Sequence, residues 1–285
     1  MPQERPRPAR SESREIQELR QLRSDQPDLA SAVDLQIELL KLQRRVQGRV
    51  PLPSLALEDG RVERQEATGG ALLRFDEVPL NWSDLRLMVR ETAAIMRRFD
   101  ALDDDVYRRV EVVGREANAL EPLVEHWYNA TAQPREPPPP GAPSLEGLSE
   151  VLTLAMRPFL TRCAEAFVAR ADLSGWMRGT CPVCAGEPEF AVITPAADRL
   201  LICGRCAMRW KFDPLGCPFC GNADRSRITS FASRDGVYRL YACDACRRYL
   251  KAYDARHAAR TVMVPVDTVA TLPLDAAAMQ RGYTG

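Results

Sequence analysis

Long apolar runs and net charge are both missing from this sequence of 285 residues. No run of about 18 apolar residues occurs, which excludes a membrane-spanning helix. Lysine plus arginine and aspartate plus glutamate each total 39, so the whole chain has no bulk attraction to nucleic acid or to a membrane surface. The first residues, MPQERPRPARSESR, lack the apolar core of a secretory signal. We therefore expect a cytoplasmic protein with a disordered tail over residues 1–14.

The motifs of common enzyme classes are missing as well. The sequence contains no phosphate-binding G-x-x-x-x-G-K-[ST], no dinucleotide-binding G-x-G-x-x-G and no G-x-S-x-G nucleophile motif. Histidine is scarce: His126 and His257 are the two in the chain, and neither lies at ligand spacing. We interpret both as surface or packing residues and expect no enzymatic activity.

Charge and periodicity both change near residue 175. Residues 1–175 have 24 basic and 29 acidic side chains, whereas residues 176–260 have 14 basic and 8 acidic ones. Before the change, apolar residues recur at helical spacing. After it, short β-type runs alternate with cysteine pairs and glycines. The sequence therefore predicts a helical domain at residues 15–175, with the domain boundary near residue 175.

Several features refine the prediction for the helical domain. Apolar stripes predict helices at 28–47, from near Ser83 to Phe99, at 106–127 and at 145–167. Pro122 should kink or restart the third of these helices. The segment ALLRF (71–75) predicts one short strand, and the proline-rich stretch 133–143 predicts an extended connector. Cys163 falls on an apolar helix face, which favours a core position.

Eight of the nine cysteines form C-x-x-C pairs after residue 175: Cys181/Cys184, Cys203/Cys206, Cys217/Cys220 and Cys243/Cys246. One such pair lets two thiolates wrap a metal ion, and two pairs complete a tetrahedral shell of four sulfurs. Four pairs so close together indicate metal binding rather than a disulfide framework. Both zinc and iron accept four thiolates, so the spacing leaves the metal open.

An internal repeat decides which pairs belong together. RLLICGRCAMRWK (199–211) aligns without gaps with RLYACDACRRYLK (239–251), and TCPVCAG (180–186) aligns with GCPFCGN (216–222). We call the turn formed by one C-x-x-C pair a knuckle. Each repeat is thus two knuckles joined by a hairpin. Site one is predicted to be Cys181, Cys184, Cys203 and Cys206, and site two to be Cys217, Cys220, Cys243 and Cys246. The alternative is a local site from the pairs 203/206 and 217/220. It would require the pair 181/184 to form the second site with the pair 243/246, which is distant in the sequence.

The predicted fold class is α+β: an all-α domain followed by two tandem rubredoxin-like or zinc-ribbon modules. The modules span residues 176–214 and 215–260, and a C-terminal segment spans 261–285. We expect the ribbons to expose the side chains of Arg209, Trp210, Tyr249 and Tyr253. These are cations and aromatics of the kind enriched at protein interfaces, so the four are candidate partner-binding residues. Ribbon packing and surface charge would explain the same four residues.

The motifs resemble those of the formate dehydrogenase accessory protein family of the FdhE type. The residues that carry the likeness are GTCPVCAGEP (179–188), LLICGRCAMRW (200–210), CPFCG (217–221), YACDACRRYLKAYD (241–254) and VDTVATLPLDAAAMQRGY (266–283). The last motif discriminates best, because a generic zinc ribbon would not contain it. In the helical part, GGALL (69–73) is similar but looser. Ala185 departs from the family pattern, which usually has glycine there, and this predicts a slightly strained first knuckle.

This resemblance implies a non-enzymatic maturation factor that binds the catalytic subunit of a respiratory formate dehydrogenase in the cytoplasm. It also implies two rubredoxin-type iron ions at the eight paired cysteines, and self-association of the chain. Two other functions remain open from the sequence. A rubredoxin-like electron carrier or redox sensor would require iron. A nucleic-acid-binding zinc ribbon would use the basic residues of 176–260. These residues, however, cluster around sites where four thiolates and a divalent ion would leave a formal charge of about −2 to offset.

Overall fold

The computed structural model describes residues 12–54, 60–116, 118–132 and 144–285. The proline-rich stretch and most of the expected tail lie outside these residues. The described residues contain the helical region, a six-stranded sheet and two C-terminal helices. The predicted α+β class is confirmed. None of the helices in these described stretches combines the length and apolar character that crossing a membrane requires.

Seven helices precede the sheet in the described part of the chain: α1 (Arg14–Asp25), α2 (Ala30–Gln47), α3 (Arg61–Thr68), α4 (Trp82–Arg98), α5 (Asp104–Arg115), α6 (Leu120–Ala132) and α7 (Leu148–Val168). Local sequence explains several of their ends. The side chain of Asn81 caps α4 by accepting from the amides of Ser83 and Asp84, each at 3.0 Å. The apolar stripe of 106–127 is divided between α5 and α6. Pro122 lies in the first turn of α6, where backbone amides have no acceptor within the helix, so the N–H that proline lacks is not needed.

The predicted strand at 71–75 is wrong. The amides of Leu72 and Leu73 donate to the carbonyls of Pro182 and Val183, both at 2.9 Å. The chain then turns through a 3-10 segment at Phe75–Glu77. Both leucine side chains are buried in the main core. This segment therefore forms a short backbone contact with the first cysteine knuckle and is not a strand of the sheet.

The six strands form one sheet in the order β3-β2-β1-β6-β5-β4. The strands are β1 (Pro188–Ile193), β2 (Arg199–Cys203), β3 (Arg209–Phe212), β4 (Ile228–Ala232), β5 (Tyr238–Cys243) and β6 (Tyr249–Asp254). Pairing within each repeat is antiparallel, whereas β1 and β6 run parallel, with Ala191 opposite Ala252. The two ribbons therefore lie side by side in one sheet, and both sets of cysteines lie at the same end of it.

The C-terminal helices α8 (Val264–Ala270) and α9 (Leu272–Gln280) connect the first helices to the second ribbon. Apolar residues of α1, α2 and the α8 region form one cluster: Ile16, Leu19, Val33, Ile37, Leu40, Met263, Val266 and Val269. Residues of the second ribbon form another with Ala278 and Tyr283. The segment that carries the most discriminating sequence motif is thus a structural tie between distant parts of the chain.

Acidic residues of that motif anchor it through partly buried hydrogen bonds. The fully buried carboxylate of Asp267 accepts from the hydroxyl of Tyr238 at 2.8 Å and from the guanidinium of Arg260 at 2.6 Å. Asp275 accepts from Nζ of Lys251 at 2.5 Å. Buried charged groups of this kind are stable only when paired, so the motif and the second ribbon depend on each other.

The largest core does not stop at the predicted domain boundary. It runs from the helices into the first ribbon and includes Phe167, Trp176, Cys181 and Leu201, all nearly inaccessible to solvent. The first ribbon is therefore packed against the helices. The division of the chain into separate domains at residues 175, 214 and 260 stays a prediction.

Candidate metal centres

All four C-x-x-C knuckles have the same backbone geometry. In each, the carbonyl of the first cysteine accepts from the amide four residues later, at distances of 2.9–3.1 Å. That fourth residue has a positive φ every time: 53° at Ala185, 58° at Ala207, 71° at Gly221 and 59° at Arg247. Only glycine adopts this conformation without strain. The strain expected at Ala185 is therefore present, and it extends to two further knuckles.

Site one gathers the four cysteines that the repeat predicted: Cys181, Cys184, Cys203 and Cys206. The sulfur atoms of Cys181 and Cys206 are 3.5 Å apart, as are those of Cys184 and Cys203. All four residues are fully buried. The amide of Arg205 also points at the sulfur of Cys203, at 3.3 Å. Such N–H···S contacts are typical of a knuckle that supports thiolates.

Site two gathers the second predicted set: Cys217, Cys220, Cys243 and Cys246. The sulfurs of Cys217 and Cys246 are 3.7 Å apart, and those of Cys220 and Cys243 are 3.8 Å apart. This site is more open, because Cys220 is exposed and Cys246 is half-buried. The local alternative, which joined the pairs 203/206 and 217/220, is not what the structure brings together.

The sulfur geometry fits a metal ion better than disulfides. Metal–thiolate bonds of about 2.3 Å in a tetrahedron place sulfurs about 3.8 Å apart. The distances at site two match this value, and those at site one are slightly shorter. A disulfide would need about 2.05 Å. The two tetracysteine groups can therefore hold two metal ions, with four protein ligands each.

Burial makes a counter-charge necessary at site one. Desolvation raises the pKa of the thiols of Cys181 and Cys206 well above the ordinary value, because burial disfavours the thiolate. Hydrogen bonds from the neighbouring thiols, together with the charge of Arg205, lower the pKa of Cys184. Four thiolates can share this buried space only around a cation. A divalent metal ion supplies that charge.

Two arginines flank site one: Arg205 is buried and Arg157 is half-buried. The guanidinium of Arg205 lies over the ring of Trp127 at 3.7 Å, and its Nε and Nη2 have no hydrogen-bond acceptor among the described residues. Arg157 of α7 donates to Glu189 at 2.9 Å and to the carbonyl of Gly204 at 2.5 Å. Both cations therefore lie where they partly neutralise an anionic tetrathiolate centre, and both connect the site to the helices.

Site two has a different arginine environment. Arg248 stacks on the ring of Phe219 at 3.7 Å and makes two bonds to Glu187, at 2.7 and 2.8 Å. Because Glu187 follows the first knuckle of site one, this pair joins the two ribbons. On the other side, Arg247 lies over the ring of Tyr283 at 4.0 Å. The position equivalent to Arg205 in the repeat is the exposed Ala245.

The structure corrects the expectation of exposure for three of the four candidate partner-binding residues. Trp210 is buried, and its Nε1 donates to the carbonyl of Arg178 at 2.8 Å. Tyr249 and Tyr253 are also buried, and their hydroxyls donate to Asp275 and to the carbonyl of Arg260. These three aromatics pack the ribbons, because each has a polar partner for its N–H or O–H inside the fold.

The remaining residues named from the sequence have these positions. Arg209 is exposed, and its role at an interface stays a prediction. Cys163 is fully buried in α7, and burial raises its pKa to about 12, as suits a core thiol. His126 is half-buried, whereas His257 is exposed with its Nε2 4.0 Å from Asp254. Neither histidine belongs to a metal-ligand group in the described residues.

Sequence reasoning missed the residues that connect site one to the helices. Arg157 and Trp127 belong to helices whose stripes gave no reason to place them beside a cysteine pair. The docking of Leu72 and Leu73 on the first knuckle was also missed. The repeat did contain one signal, because Arg205 has no basic counterpart in the second repeat.

The fold and the two centres define a class: helical proteins in which two tetracysteine ribbons share one sheet. No protein-family model matches the chain. The chain is similar to the protein named FdhE homolog of Aquifex aeolicus, with 28% identity over 113 residues, 38% of this chain. That aligned region spans 40% of the relative's length.

A solved structure extends the similarity to the whole fold. The crystal structure of the FdhE protein from Pseudomonas aeruginosa matches with a TM-score of 0.59 and 21% identity, covering 95% of this chain and 91% of that one. At this identity the match establishes the fold.

Proposed function

We propose that this protein is a maturation factor for formate dehydrogenase, without enzymatic activity of its own, that binds the catalytic subunit in the cytoplasm. The observation that carries the proposal is the fold shared with an FdhE protein over 95% of the chain, combined with two complete tetracysteine groups. The similarity to a curated FdhE homolog supports the same family.

Two metal ions belong to this proposal, one at each tetracysteine group, and iron is the favoured metal. With four protein thiols at each site, the ligand shell is filled, and no position is left for a water molecule or a substrate. The role that this geometry favours is to fix the ribbons. When bound, iron would add the capacity for a one-electron change, whereas zinc would not.

The basic residues of the ribbons give little support to a nucleic-acid function. Arg239 and Arg256 both pair with the buried Asp254, whose pKa the two guanidinium groups, Arg256 foremost, hold well below its usual range. Arg260 pairs with Asp267. These cations stabilise internal acidic groups, so they are not arranged as a surface for phosphates.

Co-purification tests the proposed partner directly. The tagged protein, incubated with the catalytic subunit of a formate dehydrogenase under anaerobic and aerobic conditions, should retain that subunit after washing at physiological salt. An unrelated helical protein with the same tag is the negative control. Failure to retain the subunit under both conditions would contradict the proposal.

A matched pair of variants gives the partner test more resolution. Arg209→Glu reverses an exposed charge on β3, and Arg108→Glu reverses an exposed charge on α5, far along the chain from the ribbons. If Arg209 belongs to the interface, its variant should weaken retention while the Arg108 variant does not. Equal retention by both would remove Arg209 from the interface.

The identity of the metal needs a separate measurement. Protein purified without oxygen and then exposed to air should contain iron and develop the visible absorption of thiolate-bound ferric iron. Zinc without visible absorption would contradict iron and leave both sites as structural centres.

A further inference from the structure

The two tetracysteine groups differ in access to solvent. At site one, Cys181, Cys184, Cys203 and Cys206 are completely buried. At site two, Cys217 and Cys243 are buried, but Cys220 is exposed and Cys246 is half-buried. The repeat gives both sites the same knuckle backbone, so the difference comes from what packs around them.

Site one is closed by the helical part of the molecule. Its first knuckle accepts the amides of Leu72 and Leu73. Its second knuckle is held by Arg157 of α7 through the carbonyl of Gly204. The space beside it is also filled, since a Cβ placed on Gly186 would lie 2.7 Å from Cδ of Arg205 and 3.0 Å from a cysteine sulfur. The described residues leave these four sulfurs no solvent exposure, so an external ligand reaches them only if the surrounding packing moves.

Site two is open at the knuckle that carries Cys220. A Cβ placed on the next residue, Gly221, would meet no atom within 4 Å. The adjoining Phe219 is covered on one face by Arg248, whereas Cys220 itself is exposed. An incoming ligand can therefore approach the sulfur of Cys220 from solvent.

We propose that site two is an exchangeable metal centre, in which Cys220 gives up its coordination position to a thiolate from another molecule, whereas site one holds its metal as part of the fold. The inference rests on the proposed metal binding but not on the proposed partner. The chemical class of the exchange ligand is a thiol, because soft thiolates are the ligands that match this centre. A small thiol and a protein C-x-x-C pair share this chemistry.

The exchange step conserves charge and protons. The incoming thiol loses its proton and takes the position of Cys220, and Cys220 takes up one proton as it leaves. The number of thiolates around the metal stays the same, and no oxidant or reductant is needed. Access to the leaving ligand contributes to the rate, as access to the attacked sulfur does in thiol–disulfide exchange.

Metal transfer from the wild-type full-length protein tests the inference. The chain is loaded with zinc at two ions per chain and mixed with a chromophoric chelator. The absorbance of the zinc–chelator complex is then recorded over time in the presence of glutathione, of a C-x-x-C peptide, or of neither. We expect two phases of equal amplitude, with the fast phase at least tenfold faster than the slow one. A thiol should accelerate the fast phase in proportion to its concentration and leave the slow phase unchanged.

Alkylation of the free cysteines at the end of the fast phase shows which site has lost its zinc, so each phase is assigned to a site without a variant. Mass spectrometry should find label on the four cysteines of site two and protection of the four cysteines of site one. Acceleration by glutathione, by the peptide or by both would support the inference and identify the source of the thiol. Loss of both ions at one rate, earlier loss from site one, or no acceleration by either thiol would overturn it.

The same experiment separates this inference from the proposal on which it rests. Fewer than two zinc ions bound per chain would overturn the proposed two-metal function, and the exchange at site two with it. Two ions that leave together would overturn the exchange alone. Neither result depends on formate dehydrogenase.

Discussion

The two ribbons have the same knuckles in different surroundings. Each knuckle closes with an amide four residues after its first cysteine, and each ends in a residue with positive φ. Site one is nevertheless buried against helices and has its own arginine, Arg205, where site two has the exposed Ala245. Local sequence therefore sets the cysteine geometry, whereas tertiary packing decides whether the site belongs to the core of the fold or to its surface.

Removal of one cysteine ligand from each site should reveal the largest difference in stability between the two sites. A structural tetrathiolate zinc contributes about 10–16 kcal/mol in small domains, which is as large as the whole stability of a typical protein. We expect Cys184→Ser to lose more than about 5 kcal/mol, because its site is continuous with the main core. Far-UV circular dichroism during thermal unfolding measures the effect on the helices.

The matched substitution at the open site is Cys220→Ser. It should leave the helical unfolding transition within about 1 kcal/mol, because Cys220 is exposed and lies outside the main core. Equal loss of helical stability in the two variants would show that the sites are equally integral to the fold.

The next largest effect should come from the buried cation at site one. Arg205→Leu removes one of the two arginine charges beside the thiolates and leaves Arg157 as the other, and breaking a buried charge arrangement costs about 3–5 kcal/mol. Urea denaturation of the metal-loaded protein measures the change. The reciprocal variant Ala245→Arg adds a cation at an exposed position and should change stability by less than about 0.5 kcal/mol. If Arg205→Leu leaves the stability unchanged, the metal, the hydrogen bonds and Arg157 balance the thiolates without Arg205.

The contact between the two ribbons allows a sharper test. A Cβ on Gly179 would lie 1.9 Å from the carbonyl oxygen of Pro218, in the first knuckle of site two. Gly179→Ala should therefore force the ribbons apart and cost about 1–3 kcal/mol, the usual range for overpacking. Gly175→Ala is the control, because a Cβ there meets nothing within 4 Å. If denaturant midpoints of the two variants agree, the close approach of the ribbons is not a constraint.

The smallest effects should come from the residues that end the knuckles. Ala185 has the left-handed conformation at site one, and Gly221 has it at site two. Non-glycine residues pay about 1–2 kcal/mol there, partly offset by the lower chain entropy of the unfolded state. We expect Ala185→Gly to stabilise the protein by about 0.5 kcal/mol and Gly221→Ala to destabilise it by about as much. Calorimetry of both variants should show melting-temperature shifts of opposite sign.

Sequence reasoning succeeded where the structure is local. The C-x-x-C pairs and the gapless repeat predicted which cysteines meet, because a knuckle is decided within a few residues and a ribbon within about forty. The helices α2, α4 and α7 were predicted from apolar periodicity for the same reason. The α+β class then followed from the change in pattern near residue 175.

The failures concern contacts between distant parts of the chain. No periodicity in residues 71–75 indicates that their amides will pair with carbonyls of Pro182 and Val183. We expected Trp210, Tyr249 and Tyr253 to be exposed. The sequence of one ribbon does not indicate that α8, α9 and the helical region will cover these aromatics. The parallel pairing of β1 with β6, which joins the ribbons, likewise has no local signal.

Metal analysis combined with X-ray absorption at the metal edge tests the central claim, that both tetracysteine groups are metal centres. For protein purified without oxygen, we predict two metal ions per chain, each surrounded by four sulfur atoms at about 2.3 Å. Fewer than two ions per chain, or a shell that includes nitrogen or oxygen ligands, would contradict it.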